Sequence, residues 1–201
     1  MDQNERKIYT ADPSALGLFG LAMITFVAST QKLGWTDGTS MLIPWAIFLG
    51  ACTQIYACIN DAKKGNVFGA TAFGGYAFFW LAVAMTWMTT NGMFGETMAQ
   101  NADMKQLGFA FLGYLIFSLF MTVGSLETNK VLMIIFVLID LLFIGLSLSV
   151  IWGIEAGHVL AGWSEFAISI VGFYGSAANV LNHTFGRTFL PVGKPLGIFK
   201  K

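Results

Sequence analysis

Long hydrophobic runs, separated by short polar or glycine-rich segments, fill most of the chain. Crossing about 30 Å of membrane hydrocarbon takes about 20 apolar residues in an α-helix. Six runs reach or approach that length, at residues 14–31, 41–59, 67–90, 106–126, 131–153 and 163–181. The breaks between them lie at residues 32–40, 60–66, 91–105, 127–130 and 154–162. This pattern predicts an all-α polytopic membrane protein with six transmembrane helices.

The six runs are continuous rather than alternating in polarity, and they exceed the roughly 9–11 residues of a tilted transmembrane strand. Helices are therefore favoured over a membrane β-barrel. The sixth run gives the weakest signal because Glu165 lies near its start. We predict an N-terminal tail of residues 1–13, a membrane domain of residues 14–181 and a C-terminal tail of residues 182–201.

The basic residues are distributed unevenly between the two sides of the predicted bundle. Lys32 and Lys105 are the two on one side. The other side carries nine, which are Arg6, Lys7, Lys63, Lys64, Lys130, Arg187, Lys194, Lys200 and Lys201. Because loops rich in Lys and Arg stay in the cytoplasm, we predict that both termini are cytoplasmic. The expected location is the cell (inner or cytoplasmic) membrane.

Composition and motifs exclude several classes of function. Only 11% of the residues are charged, whereas about a quarter are charged in typical soluble domains. The formal net charge is zero and the basic residues form no patch, so nucleic-acid binding has no electrostatic support. The sequence contains no metalloprotease, serine-hydrolase or phosphate-binding-loop motif. We therefore expect no enzymatic activity, no cofactor and no metal site.

Two polar residues within the hydrophobic runs are candidates for function. Asp140 lies near the middle of the fifth run. Burying its charge unpaired costs several kcal/mol, so its carboxyl is expected to be either protonated or paired. It is interpreted either as a proton-coupling or gating group, or as a hydrogen-bonded contact between helices or subunits. Gln54, in the second run, either lines a path for a carboxylate or joins helices through hydrogen bonds.

The start of the first run has the residues of a helix N-terminus. Asp12 suits the N-cap and Pro13 suits the first helical turn, with Ser14 following. Free backbone N–H groups there attract anions, although Asp12 itself can occupy them. Asn182 lies near the end of the sixth run, where capping the helix is the simpler explanation. The 23 glycines allow either close helix packing or a narrow pore.

Three segments resemble a known family, the acetate uptake (acetate/succinate) transporters. Residues 12–18, Asp-Pro-Ser-Ala-Leu-Gly-Leu, are similar to the family signature Asn-Pro-Ala-Pro-Leu-Gly-Leu. Residues 63–73, Lys-Lys-Gly-Asn-Val-Phe-Gly-Ala-Thr-Ala-Phe, form the second match, followed by Tyr76 and Trp80. The third is residues 180–191, Val-Leu-Asn-His-Thr-Phe-Gly-Arg-Thr-Phe-Leu-Pro. Together they cover most of the chain.

The resemblance implies a six-helix subunit that assembles as a ring-shaped homo-hexamer, with a separate acetate path in each subunit. The family's path narrows at an apolar and aromatic constriction. By alignment its members fall on Tyr76, on Ile139 in place of Leu, and on Leu21 in place of Phe. Phe19 stands two residues before Leu21, so either can supply the first member. A small residue of the sixth helix that influences pore width falls on Gly172.

The same resemblance implies the chain's ligands and the ends of its path. Asp12, Pro13, Ser14 and Asn182 are expected at the cytoplasmic mouth. We predict transport of acetate and of similar acids such as propionate, formate and succinate, by an anion channel or by proton-linked transport. The expected partners are these carboxylates, membrane lipid and further copies of the chain. Alternatives are a channel for small neutral solutes or ammonia, and a membrane sensor or scaffold.

Overall fold

The computed structural model describes residues 11–199, and within them there are helices but no β-strands. Six helices are long and apolar enough to cross a membrane. They are α1 Ser14–Lys32, α2 Leu42–Lys63, α3 Val67–Thr90, α4 Met104–Ser125, α5 Lys130–Trp152 and α6 Glu155–Phe185. A short helix, Glu96–Gln100, lies between α3 and α4. The all-α fold with six candidate membrane spans is therefore confirmed, while Arg6, Lys7, Lys200 and Lys201 lie outside the described residues.

The helices pack in the order in which they follow each other along the chain. α1 contacts α2, α2 contacts α3, α4 contacts α5 and α5 contacts α6. α6 returns to pack along α1, and aromatic side chains of α3 and α4 close the remaining side. The six helices therefore form a closed arrangement that can surround an interior path. We call the side on which α1 begins and α6 ends the terminal side, and the other the opposite side.

Side chains just before three of the helices explain where those helices begin. The Asn66 side chain accepts a hydrogen bond from the N–H of Gly69 at the start of α3, at 3.1 Å. Asp103 caps α4 and Asn129 caps α5 in the same manner. Such caps satisfy backbone donors that have no partner inside the helix.

The sixth helix differs from the prediction at both ends. It begins at Glu155 rather than at residue 163, so most of the predicted break at 154–162 is helical. A Cβ on Gly145 of α5 would lie 2.5 Å from the carbonyl oxygen of Gly157, so the two backbones touch at these glycines. Glycines that indicate a loop in sequence here allow close helix packing. The helix also continues past residue 181 to Phe185.

The second helix contains an irregularity that the hydrophobic pattern does not reveal. Residues Ala46–Cys52 form a π-helical segment within α2. Gly50 in this segment lies against Trp80 of α3 and Ile24 of α1. π-Helical turns are rare and frequently occur at functional sites.

The C-terminal tail folds back over the terminal side of the bundle. The N–H of Leu196 donates to the carbonyl of Leu126 at 2.9 Å. The N–H groups of Ile198 and Phe199 donate to Oε1 of Glu127 at 2.7 and 2.9 Å. The tail is thereby held beside the start of α5.

Candidate functional site

A large cavity of about 580 Å³ enters the bundle from the terminal side. Its volume lies within the roughly 300–1,000 Å³ typical of small-molecule sites. Polar residues at helix ends, such as Asn66, Asn129 and Asn179, line its wide part. Its deep part is lined by apolar side chains from α1, α3 and α5. We call it the large cavity.

Four of the residues predicted for the path meet in the deep part of the large cavity. Leu21, Gln54, Tyr76 and Ile139 come from four different helices, and each of them lines this cavity. All four are buried. The structure thus brings the three aligned constriction residues to one place, with Leu21 rather than Phe19 on the cavity wall.

Phe19 and Gly172 lie outside the lining of the large cavity. Phe19 is 38% exposed and packs against Phe173, with ring centroids 6.3 Å apart. A Cβ on Gly172 would lie 3.1 Å from the Cβ of Ala22. Gly172 therefore controls how closely α6 approaches α1 beside Leu21.

Asp12 and Ser14 line the mouth of the large cavity, while Pro13 and Asn182 do not. Asp12 Oδ1 accepts a hydrogen bond from the N–H of Ser14 at 2.9 Å, so the carboxylate already occupies this N-terminal donor. Asn182 holds the tail instead, because its Oδ1 accepts from the N–H groups of Phe189 and Leu190 at 2.7 and 2.8 Å.

The hydroxyl of Tyr76 is engaged inside the helix bundle. It donates to Ser118 Oγ of α4 at 3.2 Å, and the ring packs against Phe117 and Phe136. The phenolic proton therefore already has a partner within the protein. What Tyr76 contributes to the cavity wall is chiefly its aromatic ring.

Gln54 lies two residues after the π-helical segment and is fully buried. Its Nε2 donates to the carbonyl of Gly50 at 2.7 Å. A neutral amide in this position presents donors and acceptors to the cavity without a net charge.

The mouth of the large cavity is acidic. Asp12, Asp61 and Glu127 line it, and no Lys or Arg within residues 11–199 does. Asp61 Oδ2 is buried and has no hydrogen-bond partner in the described part of the chain. A Cβ on Gly69 would clash with Asp61 Oδ2, so only glycine fits beside this carboxylate. Hydropathy alone did not indicate this cluster, since its members lie in separate breaks of the pattern.

A second cavity of about 160 Å³ lies towards the opposite side. Its lining includes Phe79 and Trp80 of α3, Leu142 of α5 and the charged pair Lys32 and Glu165. We call it the small cavity. The two charged residues come from the end of α1 and from the body of α6.

Lys32 and Glu165 form a buried ion pair in the wall of the small cavity. Lys32 Nζ lies 2.8 Å from Glu165 Oε2, and the side chains are 13% and 2% exposed. The prediction treated Glu165 as a weakness of the sixth span and Lys32 as a loop charge. A signal was present, because both charges were predicted at the same side of the bundle, but nothing local showed that they meet.

An apolar and aromatic barrier about one helical turn thick separates the two cavities. On α3, Tyr76 lines the large cavity and Phe79 the small one. On α5, Ile139 and Leu142 stand in the same relation. Three residues of an α-helix span about 4.5 Å. We call this layer the barrier.

The barrier is filled by aromatic packing. The Phe79 ring lies 4.9 Å from that of Tyr114 and 5.2 Å from that of Phe143. Edge-to-face contacts of this kind add to the burial of the rings. The region between the two cavities is therefore closed by side chains rather than by backbone.

Asp140 lines neither cavity. Thr122 Oγ1 of α4 donates to its Oδ2 at 2.7 Å, and its Oδ1 is buried without a partner in the described residues. The carboxyl lies next to Ile139 in sequence, but its hydrogen bond joins α5 to α4. No group of three or more His, Cys, Asp and Glu side chains within residues 11–199 is arranged to hold a metal ion.

The comparisons with known proteins point in one direction. The profile of the GPR1/FUN34/yaaH family matches residues 2–194. The succinate-acetate/proton symporter SatP of Escherichia coli K12 is 36% identical over 185 residues, which are 92% of this chain and 96% of the symporter. Acetate permease A of Emericella nidulans is 28% identical over 90% of this chain and 65% of the permease.

The structural comparison agrees with the sequence comparisons. The structure of the bacterial acetate channel SatP superposes with a TM-score of 0.86 at 32% identity, covering 92% of this chain and all of that chain. Six apolar helices and these relatives identify a multi-pass membrane protein. The chain belongs to the GPR1/FUN34/yaaH family, as the resemblance in its three sequence segments implied.

Proposed function

We propose that this chain transports acetate and similar small carboxylates, including propionate, formate and succinate, across a membrane through a path within each subunit. The observation that carries the proposal is the alignment of two cavities from opposite sides of one helix bundle, separated by a barrier about one helical turn thick. Relatives named as symporter, permease and channel support transport rather than catalysis.

The chemistry of the large cavity suits a small carboxylate. Acetate joins a methyl group to a carboxylate, and with an acidity close to that of a Glu side chain it is ionised at neutral pH. Its path needs an apolar wall for the methyl group and neutral donors for the oxygens, without a cation that would trap it. Leu21, Ile139 and the Tyr76 ring supply the wall, and Gln54 supplies a neutral amide.

We assign the narrow part of the path to Leu21, Tyr76 and Ile139. Gly172 supports this assignment indirectly, because it sets the contact between α6 and α1 one residue from Leu21. Phe19 is assigned to the outer surface, since it packs on Phe173 away from the cavity lining.

At the mouth, Asp12 and Ser14 are the residues that a solute meets first. An ionised Asp12 repels an anion. The mouth therefore favours the entry of solutes that carry a counter-ion and the exit of solutes down their own concentration gradient. Pro13 acts here through the backbone, by starting α1, and Asn182 acts through its side-chain amide, which fastens the tail.

Proton linkage has a candidate in Asp140. Its carboxyl lies beside Ile139, and the hydrogen bond from Thr122 joins α5 to α4 at the level of the path. Replacing Asp140 with Asn abolishes the pH dependence of uptake if this carboxyl couples protons, and leaves it unchanged if its role is to join helices.

We further propose that the terminal side is cytoplasmic, that the membrane is the cytoplasmic one, and that the subunits form a homo-hexameric ring in contact with lipid. The bias of Lys and Arg supports the orientation. Trp35 and Trp163, packed together and half-exposed on the opposite side, suit a membrane interface. α2 and α4 are the least buried spans, at 33% and 22%, and so offer faces to lipid or to neighbouring subunits.

The deciding experiment is uptake of radiolabelled acetate into liposomes that contain the purified protein, with the pH gradient and membrane potential set independently. We expect uptake well above that of empty liposomes, reduced by propionate and formate. Competition by ammonia or a neutral solute, but not by carboxylates, would instead indicate the neutral-solute channel. Absence of any flux would overturn the proposal and favour a sensor or scaffold.

A further inference from the structure

The Lys32–Glu165 pair is a site that neither the alignment nor the names of the relatives account for. It joins residues 133 positions apart at a separation of 2.8 Å. Within residues 11–199 it is the only ion pair. Both side chains line the small cavity, so the pair borders an open space rather than a packed interior.

A close approach of α6 to the end of α1 brings the two residues of this pair together. A Cβ on Gly162, one turn before Glu165, would lie 3.3 Å from the Cβ of Lys32 and 3.0 Å from Cδ2 of Leu33. The glycine therefore lets the backbone of α6 approach the end of α1 closely enough to seat the two charges together.

Stability does not explain why a charged pair occupies this position. Removing two charges from water is costly, and well-packed apolar residues of similar volume often serve as well or better. Charged groups that face the interior of a membrane bundle or a water-filled cavity commonly mark a route for substrate, ions or protons. The pair therefore calls for a functional explanation.

The partner that Lys32 already holds indicates the class of ligand. The end of the Glu165 side chain, a carboxylate on a carbon chain, carries the same group as acetate. A free carboxylate in the small cavity can accept the same charge-assisted hydrogen bond from Nζ. Phe79, Trp80 and Leu142 line the same cavity and suit a methyl group. The volume of about 160 Å³ restricts the ligand to small acids.

We propose that Lys32 and Glu165 form a proton-exchanged carboxylate site, in which proton uptake by Glu165 frees Lys32 Nζ to bind the carboxylate of a small organic acid. This inference rests on the proposed function and names a coupling residue for it. One proton moves from a hydronium ion in the cavity to a Glu165 carboxylate oxygen, leaving water, and the Lys32–Glu165 ion pair breaks. One substrate anion forms the new ion pair, so the charge of the site is unchanged.

The same exchange in reverse releases the substrate. When Glu165 gives its proton to a carboxylate oxygen of the bound anion, its own carboxylate re-forms the ion pair with Nζ and displaces the neutral acid. Leu142 and Phe79 line the small cavity and also form one side of the barrier. The released acid therefore leaves Lys32 beside the narrow part of the path.

Few other charged groups face the pair. From α6 itself, His158 also lines the small cavity. The polar groups from α1, α3 and α5 are Gln31, Thr86 and Ser149, which are neutral, and the α4 contribution is apolar. Asp140 is absent from this lining. Among the described residues, Glu165 is thus the carboxyl that can titrate against Lys32 in this cavity.

The flux test uses Glu165→Gln in liposomes under imposed pH gradients and imposed membrane potentials. Wild-type uptake should follow the pH gradient and respond little to potential, because a proton and an anion bind together. The amide of the variant cannot take up a proton or neutralise Lys32. Uptake by Glu165→Gln should lose its response to the pH gradient and gain a response to potential.

Glu96→Gln and Lys105→Met are matched controls, since both residues are exposed on the same side and line neither cavity. They should behave as wild type. A Glu165→Gln protein that keeps the wild-type response to the pH gradient overturns this inference while leaving the proposed function intact. A wild-type protein without any acetate flux overturns the proposed function instead.

A second measurement does not depend on transport or on a well-folded variant. Addition of ¹³C-labelled acetate to the wild-type protein should produce, in infrared difference spectra, the carbonyl band of a newly protonated carboxylic acid. The isotope separates this band from those of the substrate. Its appearance on acetate addition, more strongly as pH falls, supports exchange at Glu165, and its absence at saturating acetate overturns it.

Discussion

The two cavities differ in the charged groups that line them, although five of the six helices contribute to both linings. The large cavity is wide and has three carboxylates at its mouth without a neighbouring Lys or Arg in its described lining. The small cavity has less than a third of that volume and holds a paired Lys and Glu. In the proposed path, an anion therefore meets carboxylates at one end and, once Glu165 is protonated, the Lys32 ammonium at the other.

The largest expected effect comes from removing one partner of the ion pair in the small cavity. Lys32→Met leaves the Glu165 carboxylate buried without a partner, and we expect a loss of about 3–5 kcal/mol in stability. Thermal unfolding in detergent measures it.

A double variant, Lys32→Met with Glu165→Leu, should recover most of this loss because no charge remains buried. The control Lys105→Met, on an exposed residue, should change stability by less than about 0.5 kcal/mol. A double variant as unstable as Lys32→Met would show that the pair stabilises the fold beyond charge balance.

The next effect is expected at the barrier between the cavities. Ile139→Ala should cost about 2 kcal/mol, at the low end of the usual range because the site borders a cavity that can partly collapse. The wider gap should raise succinate uptake relative to acetate severalfold, measured in the same liposome assay. Val137→Ala, on an exposed face of the same helix, should leave the ratio unchanged.

A smaller effect is expected at Tyr76, where one substitution distinguishes the role of the hydroxyl from that of the ring. Tyr76→Phe keeps the ring but removes the donor to Ser118, which should cost about 1 kcal/mol of stability. Acetate uptake should stay within about twofold of wild type, since the ring forms the wall and the hydroxyl is used internally. A loss of uptake with little loss of stability would show instead that the hydroxyl takes part in transport.

The smallest effect belongs to the mouth of the large cavity. Asp12→Asn removes one charge while its side-chain oxygen can still accept from the Ser14 N–H. Acetate flux that starts from the terminal side should rise by less than about twofold at low salt, and the gain should vanish at about 1 M salt.

Asp103→Asn is the matched control for this variant. Asp103 Oδ1 accepts from the N–H of Lys105 at 2.9 Å, in the same arrangement, but on the opposite side. It should leave flux from the terminal side unchanged at every salt concentration. An equal rise in both variants would mean that the acidic mouth has no specific influence.

Local patterns predicted the parts of the fold that depend on local interactions. Five helices follow directly from hydrophobic runs, and side-chain caps explain where three of them begin. α6 was placed too late, because its first turns depend on the contact of Gly157 with α5 and on the neutralisation of Glu165 by Lys32. Both contacts join distant parts of the chain, and no window of sequence contains them.

The candidate site, too, was predictable only where the signal lies in the sequence itself and not in a contact between distant residues. The family resemblance identified Leu21, Tyr76 and Ile139, and the structure places all three on one cavity wall. Asp140 attracted attention because a lone charge in an apolar run is visible in sequence, yet it lines neither cavity. The partner of the Tyr76 hydroxyl lies on another helix and required the structure.

The C-terminal tail has a practical consequence for anyone who attaches a reporter to this protein. Phe199 is hydrogen-bonded to Glu127, which lines the mouth of the large cavity. A fluorescent domain fused after the last residue would therefore be tethered within a few residues of the mouth of the large cavity. Such a fusion is therefore poorly placed as an inert purification tag, and a reporter there is placed to sense rearrangements of the mouth.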